Sequence, residues 1–210
     1  IMLMLIGICG VLAFLILFTR ILSKKRKTIL MLLELGLMFL LIADRFAYIY
    51  RGDVSSVGFW MVRISNFLVF FFSLFIIFTF NLYLIDLYTI EGGLKKIPRR
   101  FNLVSYAFYI GVFLLIYSQF TGFYYVFDET NHYQRSSGFL ICYLIPFFSL
   151  FLQFSVIIQY YKNITRRVRL PILLFAMLPF LATFLQIFFY GISLTNMTTV
   201  STGIMLYVFV

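Results

Sequence analysis

Three short basic clusters, Arg20 to Lys27, Lys95 to Arg100 and Lys162 to Arg169, hold thirteen of the seventeen Lys and Arg residues, and two long apolar runs separate each cluster from the next. Cationic loops resist transfer across a bilayer, so this spacing predicts a polytopic membrane protein in which every second loop faces the cytoplasm. A chain that is 63% hydrophobic and 11% charged has too little polar surface to cover a globule. Lipid must be its solvent.

Apolar spans of about 20 residues match a hydrocarbon core of roughly 30 Å. They divide the chain into an all-α, polytopic transmembrane helical bundle, a single module with spans over about 1–19, 28–50, 59–88, 101–127, 139–161, 170–190 and 197–210. The seventh offers only about 14 residues, roughly 21 Å of helix, and reads as a truncated span. Counting through puts the N-terminus outside and sends whatever follows Val210 into the cytoplasm. The chain lacks an initiator Met and has an apolar run at each end, so it is expected to be a piece of a longer protein. No basic region precedes the first segment and no small-residue cleavage site follows it, so that segment is expected to be retained.

Local signals refine the map. Arg51-Gly52-Asp53-Val54-Ser55-Ser56 favours a turn between the second and third spans. Trp60, Tyr124 and Tyr125 fit an aromatic belt at the outer interface. The long third span is expected to tilt or protrude. Pro146 and Pro179 predict bends in the fifth and sixth spans, whereas Pro171 sits at a tolerated first-turn position of a helix beginning near Leu170. The net charge of +10 lies next to apolar segments and not in a polar domain. It therefore points to the bilayer and its anionic inner-leaflet lipids, not to nucleic acid.

Polar side chains at membrane depth are costly and so carry information. Counting back from the turn near Val54 and Ser55 places Asp44 opposite Ser65, within one turn of Arg63 and Asn66. Two readings stand. In one, Asp44 and Arg63 form a structural ion pair that locks the hairpin. In the other, the outer ends of spans two to six enclose a ligand pocket with charge from Asp44, Arg45 and Arg63, an amide from Asn66, rings from Tyr48, Tyr124 and Tyr143, and Gln186 closing one side a turn before Tyr190. On the inner half, Glu34, Asn81 and Asp86 lie at similar depth and are candidates for an intramembrane polar relay; the plain alternative has Glu34 protonated or tied to a Lys, and Asp86 interfacial. Gln119, Gln153 and Gln159 are expected to make interhelical hydrogen bonds.

Enzyme signatures are thin. No catalytic constellation, cofactor motif or metal site is expected: His132, the single histidine, sits with Asp128 and Glu129 on what reads as a solvated loop. Cys9 and Cys142 lie in apolar runs and read as small apolar side chains. Asn163-Ile164-Thr165 and Asn196-Met197-Thr198 match a glycosylation triplet that is common by chance.

The stretch Ala43-Asp44-Arg45-Phe46-Ala47-Tyr48-Ile49-Tyr50-Arg51-Gly52, followed by Met61-Val62-Arg63-Ile64-Ser65-Asn66-Phe67, resembles the N-terminal multi-span membrane sensor region of bacterial signalling proteins of Clostridia-like Gram-positive organisms. Ser155 to Tyr160, Leu178-Pro179 and Gln186 to Gly191 resemble the later spans of the same group. The resemblance implies a bacterial plasma-membrane input domain that precedes a cytoplasmic GGDEF diguanylate cyclase or a histidine kinase. That output domain would lie after Val210, since no GGDEF, phosphoacceptor or ATP-lid motif occurs within the 210 residues. The resemblance does not identify the ligand; the expected stimulus is a small molecule, a lipid or membrane stress, and the expected assembly is a homodimer. A transporter or permease component, with Glu34, Asp44, Asn81 and Asp86 on a proton or substrate path, is the alternative.

Overall fold

The computed structural model describes residues 2–20, 22–188 and 194–209; the expected landmarks Tyr190 and Gly191 lie outside them. Among the described residues the chain forms seven α-helices and one small hairpin. In order these are α1 (Met2–Phe18), α2 (Lys24–Ile49), α3 (Ser56–Ile90), α4 (Arg99–Thr121), the strands β1 (Tyr125–Phe127) and β2 (Tyr133–Arg135), then α5 (Phe139–Gln159), α6 (Arg166–Phe188) and α7 (Leu194–Phe209). Four of the helices, α3 to α6, are long and apolar enough to cross a membrane. α1 is apolar but has 17 residues, and α7 has 16. α2 has the length, 26 residues, yet Glu34, Asp44 and Arg45 interrupt its apolar run. Length and composition therefore carry four crossings, fewer than the seven expected.

Three boundaries differ from expectation. α2 begins at Lys24, not Thr28, because Ser23 caps it by accepting a hydrogen bond from the Arg26 amide at 3.3 Å, which draws the basic cluster into the first helical turn. α6 likewise begins at Arg166, so Pro171 is inside the helix and not in its first turn. Its ring removes one backbone hydrogen bond, to the carbonyl of Arg167. The third correction is the hairpin. The fourth helix does not run to Phe127: it stops at Thr121, where Gly122 adopts a left-handed φ of 65°, and Tyr125–Phe127 pairs antiparallel with Tyr133–Arg135.

The core lies between α2, α3 and α6, with α1 and α7 packed beside it. Leu33, Leu37, Leu40 and Leu41 recur at helical spacing on α2 and meet Ile76, Phe80, Tyr83, Leu84 and Leu87 of α3, together with Phe175 of α6. α7 reaches this core through a small residue: a Cβ on Gly203 would overlap Cδ1 of Leu37 on α2, so any larger residue there requires the Leu37 side chain to shift. On the flank, α4 turns Tyr106, Tyr109, Phe113 and Phe120 outward, as a lipid-facing helix does.

Side-chain bonds gather the α1–α2, α3–α4 and α5–α6 links at one end, here the basic end. Arg26 donates from Nε to Asp86 Oδ2 at 2.9 Å and from Nη1 to Glu91 Oε1 at 2.5 Å, and Glu91 Oε2 accepts from Thr165 Oγ1 at 3.0 Å. Arg100 bonds Ser155 and Gln159 across the α4–α5 face. The hairpin and the α2–α3 turn mark the opposite end.

Candidate functional site

The hairpin is held over the α2–α3 turn by two residues with unusual backbone. Gly52 has a φ of 79°, and its Cα lies so close to the His132 ring that a Cβ there would come within 2.9 Å. Asn131 also adopts a left-handed φ, 58°, which a short amide tolerates. Its Nδ2 donates to Asp53 O at 2.7 Å and its Oδ1 accepts from Arg63 Nη1 at 2.7 Å. Asp128 organises the hairpin tip: Oδ1 accepts from the Thr130 and His132 amides at 3.0 and 2.9 Å, and Oδ2 accepts from Gln134 Nε2 at 3.1 Å. The His132 amide, then the Thr130 and Gln134 side chains, hold this exposed carboxyl down at about 2. The amide and hydroxyl of Ser55 lower Asp53 in the same way.

Under the hairpin lies a cavity of about 480 Å³, in the range of small-molecule sites. Asp44, Arg45, Tyr48, Asn66, Tyr143 and Gln186, gathered from α2, α3, α5 and α6, line it. Sequence reasoning also placed Arg63 and Tyr124 there, and the structure puts both elsewhere. Arg63 faces away from Asp44, and among the described residues no ion pair joins the two. Its guanidinium instead lies 3.5 Å from the Phe59 ring centroid and 4.6 Å from that of Phe127, bonded to Asn131, beside a separate cavity of about 460 Å³ between α3, α4 and the hairpin. Tyr124 is buried in an aromatic cluster with Phe70 and Phe123, its amide satisfied by Ser118 Oγ at 2.8 Å.

Sequence reasoning missed Arg51, Tyr133, Arg135 and Phe139 in the cavity wall. The signal was present in Tyr-Val-Phe and Tyr-Gln-Arg flanking a five-residue polar run, an alternation suited to a hairpin. The pairing of Tyr125 with Arg135 and Phe127 with Tyr133 turns these four side chains to one face and Val126 with Gln134 to the other. Burial pushes the Tyr133 hydroxyl up, so it stays neutral, and the Arg135 guanidinium sits 4.3 Å from the Phe139 ring centroid.

A second, deeper cavity of about 120 Å³ shares Val69, Phe70, Tyr143 and Gln186 with the first. Pro146 of α5 and Pro179 of α6 both line it, with Cys142 at the side. The start of α7 forms another side of it, lined by Thr195, Asn196 and Thr199, and Met197 of the same turn lines the larger cavity. Gln186 Oε1 accepts from the Thr195 amide at 2.8 Å, so one side chain lines both chambers and ties α6 to α7.

The three residues expected to form a relay do not meet. Glu34 is buried beside Cys9 of α1. Asn81 Nδ2 donates to Phe101 O at 2.9 Å and Ser105 Oγ at 3.2 Å, both on α4. Asp86 is ion-paired with Arg26, and with Lys25 at 3.8 Å. Of the glutamines, Gln153 donates to Ile77 O of α3 at 2.9 Å and Gln159 bonds Arg100, both interhelical; Gln119 instead bonds Tyr125 of the hairpin and its own helix. Asn196 of the second glycosylation triplet is buried, and Asn163 of the first donates to Gly92 O at 3.4 Å. No family model, curated protein or solved structure matches the chain.

Proposed function

We propose that this chain is the membrane-embedded input module of a bacterial signal-transduction protein, spanning the membrane seven times with the hairpin end outside and the basic end in the cytoplasm. The observation that carries the reading is the two-chamber cavity. It opens at the hairpin end, reaches down to Pro146 and Pro179, and is flanked by the first turns of α7, with Met197 lining the upper chamber and Thr195, Asn196 and Thr199 the lower. A molecule seated there touches α5, α6 and α7 together. Proline leaves a backbone carbonyl without its usual partner, so α5 and α6 can bend at Pro146 and Pro179 with one fewer hydrogen bond to break. Occupancy favours one packing of the two helices, and α7, tied to α6 through Gln186 and docked on α2 through Gly203, passes the displacement to a cytoplasmic diguanylate cyclase or histidine kinase, in a homodimer.

The dispersal of Glu34, Asn81 and Asp86 to separate partners disfavours a transporter, which needs polar groups in sequence along one path. The test uses the full-length gene product in bacterial membranes, with cyclic dinucleotide synthesis and autophosphorylation as readouts. Gln186→Ala is expected to change one output at unchanged membrane level. Substrate uptake by proteoliposomes, with neither output present, would refute the input-module reading.

A further inference from the structure

Four of the seventeen Lys and Arg residues stand outside the three basic clusters: Arg45, Arg51, Arg63 and Arg135. Arg45, Arg51 and Arg135 line the larger cavity, against the single carboxylate of Asp44. The fourth, Arg63, lines the neighbouring cavity. Among the described lining residues three guanidinium groups and one carboxylate give a net charge of +2, with Arg45 and Asp44 half-buried and Arg51 and Arg135 exposed at the mouth, where an incoming anion meets them first. Guanidinium also matches the planar geometry of carboxylate and phosphate oxygens.

The deeper chamber has a different chemistry. Leu40, Val69, Ile76, Phe175 and the two prolines give it an apolar wall. Its about 120 Å³ approaches the roughly 150 Å³ of an apolar protein cavity that takes up benzene. Its polar side is mostly self-satisfied: Ser73 Oγ, Thr183 Oγ1 and Thr199 Oγ1 each bond a carbonyl of their own helix. Thr195 Oγ1, buried and without a hydrogen-bond partner among the described residues, is the exception.

Resting on the reading of this cavity as the ligand site, we infer that it takes a small amphipathic anion: a carboxylate or phosphate head among Arg45, Arg51 and Arg135, joined to an apolar group about the size of a benzene ring lying between Pro146 and Pro179. A cation is repelled by the wall, and an inorganic anion leaves the lower chamber unused. The same chemistry is available from a dissolved aryl or short acyl anion and from the head region of an anionic lipid.

The test is calorimetric titration of the protein in phosphatidylcholine nanodiscs with phenyl phosphate, inorganic phosphate and phenyltrimethylammonium. Phenyl phosphate is expected to bind at least about tenfold more tightly than either of the others. Arg45→Gln is expected to weaken it about tenfold, with Arg45→Lys retaining most of the binding. Ser73→Phe, which fills the lower chamber, is expected to erase the advantage over inorganic phosphate while leaving phosphate binding in place. Phosphatidylglycerol nanodiscs separate the two sources: loss of phenyl phosphate binding there assigns the site to a lipid head, and unchanged binding assigns it to a dissolved anion. Equal binding of phenyl phosphate and phenyltrimethylammonium, equal binding of phenyl and inorganic phosphate, or no binding of any probe in phosphatidylcholine would overturn the inference. If that happens while Gln186→Ala still changes the signalling output, the anion class fails and the input-module reading stands.

Discussion

Arg63 Nη1 and Asn131 Oδ1 lie 2.7 Å apart, joining the start of α3 to the tip of the β1–β2 hairpin across 68 residues of sequence. The same Asn131 amide holds the carbonyl of Asp53, so one side chain fastens the roof of the cavity to the α2–α3 turn. Asn131→Ala removes both bonds and leaves at the left-handed φ a residue that lacks the short side-chain amide which eases that conformation in asparagine. It is expected to lower stability in detergent by about 1–3 kcal/mol, whereas Asn131→Gly relieves the strain and loses only the bonds. Chemical unfolding of the two variants separates these contributions.

The hairpin tip has a pH dependence set by Asp128. Its carboxyl is held at about 2 in the folded protein, below the usual range of about 3.9. A depressed value means that the stabilisation is fully present above the ordinary carboxylate range and disappears as pH falls through about 2. Amide exchange at Thr130 and His132 is expected to accelerate over that acid window in the native chain. Asp128→Asn has no carboxylate to protonate, so the protection of these amides relative to an unstructured chain is expected to show no step over that window.

At the basic end, Arg26 is the sole described residue that bonds Asp86 and Glu91 together. Removing it leaves the buried Asp86 carboxylate with only the longer pair to the exposed Lys25 at 3.8 Å, so Arg26→Ala is expected to cost about 3 kcal/mol. The double variant with Asp86→Asn is expected to recover part of that loss, and a double-mutant cycle in detergent measures the coupling. Additive losses would place the two residues in independent roles.

α7 docks on α2 where Gly203 faces the Leu37 side chain. Gly203→Leu is expected to separate the two helices and raise hydrogen exchange along Thr199–Leu206, where the nearest neighbours of the added side chain are Leu37 of α2 and Phe175 of α6, while α4 keeps its protection. In the full-length protein the same change is expected to uncouple output from occupancy of the cavity.

The chain's periodic features were legible because apolar runs and basic clusters are local in sequence, and they mark the helices and the basic end directly. Asp44, Arg45, Tyr48 and Asn66 could be brought together by counting residues from one turn, and Tyr143 and Gln186 by their depth from the same end. The hairpin was not legible in that way. Its strands are three residues each, and Tyr125-Val126-Phe127 continues the hydropathy of α4 without a break except for Gly122. Arg63 was misassigned for a related reason: its partner, Asn131, belongs to the polar loop that hydropathy marks as solvated, and register counting within the α2–α3 hairpin could offer only Asp44. The relay failed because equal depth does not mean a shared face. Glu34, Asn81 and Asp86 point toward α1, α4 and α2 respectively.

Single-cysteine labelling of intact cells with a membrane-impermeant maleimide tests the central claim most directly, because the ligand reading requires the cavity and the basic clusters to face opposite compartments. In a background with Cys9 and Cys142 replaced, Gln134→Cys at the hairpin is expected to label in intact cells, and Lys96→Cys in the α3–α4 link only after the membrane is broken. Labelling of both from the same side would contradict the account.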